Sequence, residues 1–102
     1  DAPATSPAGA KTCEELVQRS AALTRAIVRD LQGKTEADLR VANPDDPYGV
    51  LLRPFDAYRA RAQQLGCDQV QLRRLACPEY QDIEPTGPAA EEFLSLVPDT
   101  CR

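Results

Sequence analysis

The stretch LGCDQVQLRRLACPEY, residues 65–80, holds two of the chain's four cysteines, Cys67 and Cys77. Asp68 is a favourable helix N-cap, and the spacing of the apolar residues after it predicts a helix to about residue 76. Ten residues of helix separate two Cα atoms by about 15 Å, whereas a disulfide needs them within about 7 Å. Cys67 and Cys77 are therefore not expected to bond to each other.

Two ways of joining the four cysteines remain: Cys13–Cys67 with Cys77–Cys101, or Cys13–Cys77 with Cys67–Cys101. A long helix that begins at Cys13, followed by a helical segment of similar length that returns to Cys67, brings these two cysteines together if the segments are antiparallel. The first pairing is therefore favoured. In it, Cys77 ties Cys101 and the C-terminus to the helix that follows Cys67.

The cysteine pattern also predicts a compartment. The four cysteines form no closely spaced pair and the chain has no histidine, so disulfides are favoured over a zinc site. Disulfides persist in oxidising surroundings, and we therefore expect a secreted, periplasmic or cell-surface protein. Residues 1–10, DAPATSPAGA, resemble what a removed signal peptide leaves behind, and the excess of arginine over lysine suggests a bacterium with a GC-rich genome.

Start and stop signals predict helices along the rest of the chain. Thr12 and Gly33 bound a first helix of about 20 residues, and Thr35 begins a short second one. The same signals place further boundaries at Asp46, Gly66, Asp68, Gly87 and Pro98. No segment alternates with the period of a strand. The predicted fold is all-α: a flexible tether over residues 1–11, then a single domain over residues 12–102 with four to five helices stapled by two disulfides.

Two prolines fall within predicted helical segments. Pro54 is expected to kink or break its helix near Leu52 and to restart the helix, because its ring clashes with the preceding turn. Pro78 is expected either to end its helix near Ala76 or to open a further turn through Tyr80.

Composition excludes several classes of function. A net charge of −4 argues against a nucleic-acid partner, and no apolar run is long enough for a transmembrane span. Without histidine, Ser/His/Asp and Cys/His catalysis are excluded, and no phosphate-binding, dinucleotide-binding or EF-hand motif occurs. Paired acids lie at predicted helix starts, where they stabilise the helix dipole. We therefore expect no enzyme activity, no metal and no cofactor.

The candidate binding residues combine aromatic, aliphatic and arginine side chains. Aromatic rings on the kinked middle helix and beyond it are suited to line an apolar slot, and the arginines are suited to bind an anion or an acidic partner. An irregular apolar segment before Pro54 adds a possible docking patch. The candidates are Tyr48, Leu51, Leu52, Phe55, Tyr58, Arg59, Arg73, Arg74 and Tyr80.

Two hypotheses for the function follow from these observations. The first is a non-enzymatic extracytoplasmic interaction domain that binds another secreted or envelope protein. The alternative is a small carrier or sensor that binds an apolar or anionic ligand in a slot lined by the Tyr, Phe and Arg candidates. An apolar cavity beside Tyr58 would distinguish the second hypothesis from the first.

Overall fold

The computed structural model describes residues 5–97, and this part of the chain is all-helical, with no strand. A 3₁₀ turn precedes six α-helices, of which α3 is a single turn. The elements are the turn Pro7–Gly9, α1 Cys13–Asp30, α2 Glu36–Ala42, α3 Gly49–Leu52, α4 Pro54–Leu65, α5 Gln69–Tyr80 and α6 Pro88–Leu96. The predicted all-α class is confirmed for these residues. None of the helices within residues 5–97 has the length and apolar character that a membrane crossing requires.

Side-chain caps and a left-handed glycine set the helix ends. The Thr12 hydroxyl accepts a hydrogen bond from the Glu15 backbone N–H, which begins α1. At the start of α2, Thr35 and Asp38 form a full capping box, each side chain bonding the other's backbone N–H. Gly66 ends α4 at φ +74°. The predicted starts of α1 and α2 and the predicted end of α4 are therefore confirmed, whereas α1 ends at Asp30, before the predicted stop at Gly33.

The two prolines behave differently. Pro54 starts α4 directly after a break at Arg53, as predicted. Pro78 lies inside α5, and the helix continues to Tyr80, so the further turn is the alternative that is found. The Tyr80 hydroxyl lies 2.7 Å from Ser20 Oγ of α1. This contact holds the last turn of α5 against α1.

A disulfide joins the open ends of α1 and α4. Cys13 is the first residue of α1, Cys67 lies two residues beyond α4, and their Cα atoms are 5.9 Å apart. Further along the pair, the Tyr58 hydroxyl donates to the Arg19 carbonyl oxygen at 3.5 Å. From the first contact to the second, the residue number rises on α1, from Cys13 to Arg19, and falls on the other member of the pair, from Cys67 to Tyr58. Helix α4 is therefore antiparallel to α1. The predicted Cys13–Cys67 bond is confirmed.

The second predicted disulfide involves a residue outside the described part. Because Cys67 is bonded to Cys13, a bond between Cys67 and Cys77 is ruled out. Cys77 is also disulfide-bonded. The partner predicted for it, Cys101, lies outside residues 5–97, so Cys77–Cys101 stays a prediction.

Helix α1 is the centre of the packing, and α4, α5 and α6 all lie against it. Its buried residues recur at spacings of one to four, which places them along one stripe of the helix. They are Leu16, Val17, Ala21, Thr24 and Val28. Helix α6 supplies the most buried large side chains, Phe93 and Leu94, neither of which is exposed. The core is therefore built around α1 and closed by α6.

The flexible tether predicted over residues 1–11 is not fully matched, because residues 6–10 are held against the helices; residues 1–4 lie outside the described part. Ala10 is fully buried, and its carbonyl oxygen accepts hydrogen bonds from Arg61 Nε and Nη2 at 3.1 and 2.7 Å. The Ser6 carbonyl oxygen accepts one from Arg19 Nη1 at 2.8 Å. The tether was inferred from a lack of apolar side chains, but here two arginines of α1 and α4 bind the backbone itself.

The Cys13–Cys67 bond is expected to supply much of the stability. A cross-link over a separation of 54 residues stabilises a fold by about 4 kcal/mol in the chain-entropy model. The double variant Cys13→Ser with Cys67→Ser, which leaves no unpaired thiol at this position, is expected to lose that much free energy of unfolding in urea denaturation. An unfolding free energy equal to that of the unchanged protein would contradict this.

Gly87 occupies a backbone conformation that α6 needs. Its φ of +98° and ψ of 162° belong almost exclusively to glycine, and a Cβ there would lie 3.1 Å from the Gly33 backbone nitrogen. Gly33 donates to the Thr86 carbonyl oxygen, and Ala89 donates to the Lys34 carbonyl oxygen, each at 3.1 Å. These two hydrogen bonds join the start of α6 to the segment before α2.

A matched pair of alanine variants tests this conformation. Gly87→Ala is expected to cost about 3 kcal/mol of unfolding free energy. Gly66→Ala, where no atom lies within 4 Å of the new Cβ, is expected to cost only about 1 kcal/mol for the left-handed backbone. Equal losses for the two variants in urea denaturation would show that the contact with Gly33 carries no cost.

Candidate ligand-binding cleft

A cleft of about 490 Å³ lies between α1, α4 and α5. Its walls come from all three helices, and the Cys67 side chain and the residue after α6 complete it. The fifteen lining residues are Leu16, Val17, Ser20, Phe55, Tyr58, Arg59, Ala62, Gln63, Cys67, Gln69, Leu72, Arg73, Ala76, Tyr80 and Val97. All of them belong to the part of the chain that the structure describes.

Helical periodicity explains why these side chains share one space. On α5, Leu72, Ala76 and Tyr80 are spaced four residues apart and so form one row. On α4, Tyr58 and Ala62 have the same spacing. The rows meet because the disulfide holds α1 and α4 together and α5 packs on α1.

Small side chains leave the volume of the cleft unfilled. Ser20, Ala62 and Ala76 are the small residues of its lining, one from each of α1, α4 and α5. Protein interiors normally pack to the density of organic crystals. One small side chain from each helix fills less of the shared space than a Leu or Phe would.

Hydroxyl groups are paired at the α1–α5 wall. Ser20 Oγ and the Tyr80 hydroxyl lie 2.7 Å apart, and the buried Thr24 hydroxyl lies 3.3 Å from the same Tyr80 oxygen. Thr24 also donates to the Ser20 carbonyl oxygen at 2.9 Å. Within residues 5–97, no buried side-chain nitrogen or oxygen lacks a hydrogen-bond partner. The polar groups of this wall thus satisfy one another.

Tyr58 is the aromatic centre of the α4 wall. Its side chain is buried, and its ring centroid lies 5.9 Å from that of Phe55. Burial raises the pKa of the Tyr58 phenol above its ordinary value of 10.0, the nearby Tyr80 raises it further, and Arg19 opposes both effects. The hydroxyl therefore stays protonated and neutral at physiological pH.

The cleft carries positive charge without a carboxylate in its lining. Arg59 and Arg73 line it, and none of the fifteen residues, all within the described ranges, is Asp or Glu. Arg59 Nη1 lies 3.7 Å from Asp56 Oδ1, and the two side chains are 66% and 72% exposed. An ion pair so exposed contributes little energy. Arg59 thus stands at the solvent side of the cleft with only a weak partner.

The structure brings together five of the nine candidate binding residues. Phe55, Tyr58, Arg59, Arg73 and Tyr80 all line the cleft. The other four lie elsewhere. Half-buried Tyr48, Leu51 and Leu52 pack against the core, and Arg74 borders a smaller depression at the start of α5.

Sequence reasoning missed the α1 wall and the small residues. The spacing of Leu16, Val17 and Ser20 on the first helix predicts a buried face but not that this face lines a cleft. A serine within an otherwise apolar stripe was a signal that this stretch faces something other than solid core. Ala62 and Ala76 carried no such signal, because alanine is common in any helix.

Comparisons with known proteins give no further information on the site: no family model, curated protein or solved structure matches this chain. In the region covering residues 5–97, no group of three or more His, Cys, Asp or Glu side chains is placed to hold a metal ion.

The raised pKa of Tyr58 predicts a dependence of stability on alkaline pH. Because the folded state holds this phenolic proton more tightly than the unfolded state does, the contribution to stability is complete below pH 10.0 and is lost as the pH rises through the folded-state pKa. The unfolding free energy should therefore fall above pH 10, and it should fall less in Tyr58→Phe. Urea denaturation at a series of alkaline pH values measures both slopes, and identical slopes would contradict the burial of this hydroxyl.

Proposed function

We propose that this chain is a non-enzymatic ligand-binding domain that works outside the cytoplasm and holds a small molecule in the cleft between α1, α4 and α5. The observation that carries the proposal is the cleft itself, about 490 Å³ in volume and placed beside Tyr58. The hypothesis of a small carrier or sensor, which was drawn from the sequence, requires a cavity at this position.

The size and lining of the cleft support a small-molecule ligand. Small-molecule sites typically have volumes of about 300–1,000 Å³ and are lined by apolar and aromatic side chains with a few polar groups. The α1 wall is apolar at Leu16 and Val17, the α4 wall is aromatic at Phe55 and Tyr58, and Arg59 adds a charge at the solvent side.

The chemistry of the lining favours binding over catalysis. The whole chain has no histidine, the commonest general base. Cys67 is engaged in the disulfide, and the Ser20 hydroxyl lies 2.7 Å from that of Tyr80, a phenol rather than a base. Arginine, which keeps its proton at any physiological pH, is suited to hold a ligand rather than to transfer a proton.

The disulfide supports the proposed location. Cys13 and Cys67 are only half-buried, so reducing agents have access to their bond. Such a bond persists in oxidising surroundings. A secreted, periplasmic or surface-displayed bacterial protein is therefore the setting we propose.

A protein partner is the second candidate, and it was the first expectation from the sequence. Three large apolar side chains favour it, because Val41, Val70 and Leu96 are 85%, 68% and 43% exposed. They lie on three different helices, α2, α5 and α6. The cleft gathers more of the predicted residues in one place, and we therefore rank the small-molecule ligand first.

Two tryptophan variants on α5 test the proposal with N-phenyl-1-naphthylamine, a neutral apolar dye that fluoresces when it leaves water. Leu72 is half-buried in the cleft wall, so Leu72→Trp is expected to fill the cleft and weaken dye binding at least about tenfold, or about 1.4 kcal/mol. Val70→Trp is the matched control on the same helix, outside the cleft.

The unchanged protein and Val70→Trp are expected to bind the dye equally well. Circular dichroism of both variants establishes that the helices remain. A protein that does not bind the dye, or a Leu72→Trp variant that binds it as well as the control, would contradict the proposed function.

A further inference from the structure

We propose that the ligand of this cleft is an amphipathic anion, with an apolar chain held between the α1 and α5 walls and a carboxylate bound by Arg59. This inference rests on the proposed function and names the class of ligand for the same site.

The charge of the cleft is opposite to the charge of the chain. The protein has 16 acidic and 12 basic residues and a net charge of −4. The fifteen lining residues, which all belong to the described part, include two arginines and no acid. A site for neutral molecules would not need a lining whose charge is opposite to that of the chain. An anion is the ligand that gains most from a lining with only positive charge.

Arg59 has the geometry to bind a carboxylate. It follows Tyr58 on α4, and its side chain is 66% exposed while that of Tyr58 is buried. Its Nη1 lies 3.7 Å from Asp56 Oδ1, too far for a hydrogen bond. A ligand carboxylate that forms two parallel hydrogen bonds with this guanidinium therefore replaces only a weak contact.

The buried part of the cleft lining includes four apolar side chains. Leu16, Val17, Ala76 and Val97 line it with exposures of 3%, 6%, 4% and 4%. The hydroxyl of Ser20 is already paired with that of Tyr80. With a charged group at the solvent side and apolar surface inside, the cleft matches a molecule whose two ends differ in the same way.

A comparison of octanoate with octan-1-ol tests this class of ligand. The two probes share one apolar chain and differ in the head group, which is ionised at neutral pH only in octanoate. Titration of the isotope-labelled protein, followed by NMR chemical shifts, is expected to give an affinity about fivefold higher for octanoate, as for an exposed ion pair. The shifts are expected in the residues of the cleft.

Variants on α4 and α1 assign the preference to Arg59. Arg59→Gln is expected to lower the affinity for octanoate to that for octan-1-ol in the same variant. Arg29→Gln is the matched control, since it removes the same charge from an exposed position of α1 outside the cleft lining. Asp56→Asn, which removes the weak competitor, is expected to raise the affinity for octanoate about twofold.

The outcomes separate this inference from the proposed function. If octan-1-ol binds as tightly as octanoate, the anionic ligand class is overturned while the cleft remains a binding site. If Arg59→Gln keeps the preference for octanoate, the binding of the carboxylate by Arg59 is overturned. If N-phenyl-1-naphthylamine does not bind, the proposed function itself is overturned. A preference lost in Arg59→Gln and kept in Arg29→Gln supports the inference.

Discussion

The bond between Cys13 and Cys67 is the constraint on which the described structure depends. It joins the first residue of α1 to the chain just after α4 and fixes the two helices as an antiparallel pair. Asp68 follows Cys67 directly and caps α5, so this helix starts beside the disulfide. A chain of this size has little core with which to hold three helices in place by packing alone, and covalent closure of a long loop offsets part of the entropy lost on folding.

The cleft follows from the same arrangement. Three helices share one space at the stapled end, and Cys67 itself is part of the lining. Small residues keep that space open, while the bulky Phe93 and Leu94 of α6 fill the core. The candidate site therefore borders the core and shares buried residues such as Leu16 and Phe55 with it, and the Cys67 end of the disulfide belongs to its lining.

The sequence predicted features that depend on neighbouring residues. Thr12, Thr35 and Asp68 cap helices because their hydroxyl or carboxylate groups reach N–H groups three residues away. The length of the helix after Cys67 excluded a bond between Cys67 and Cys77. Five of the nine candidate residues lie in the cleft, because aromatic and arginine side chains are few enough to be singled out.

Apart from the Cys13–Cys67 pairing, features that depend on contacts between distant residues were not predicted. The order of residues 6–10 comes from hydrogen bonds between Arg61 and Ala10, 51 residues apart, and between Arg19 and Ser6. The spacing of Leu16 and Val17 predicts a buried face, and both are buried, but spacing along one helix does not show whether another side chain fills the space opposite. The cleft exists only because α1, α4 and α5 come together.

The most direct test of the stapled arrangement is a tryptic peptide map of the unreduced protein by mass spectrometry. Cleavage after lysine and arginine places the first cysteine in residues 12–19, the second in residues 62–73 and the remaining two together in residues 75–102. Peptides 12–19 and 62–73 should be recovered as one cross-linked species that separates on reduction. A species that joins either of them to peptide 75–102 would contradict the arrangement and, with it, the position of the cleft.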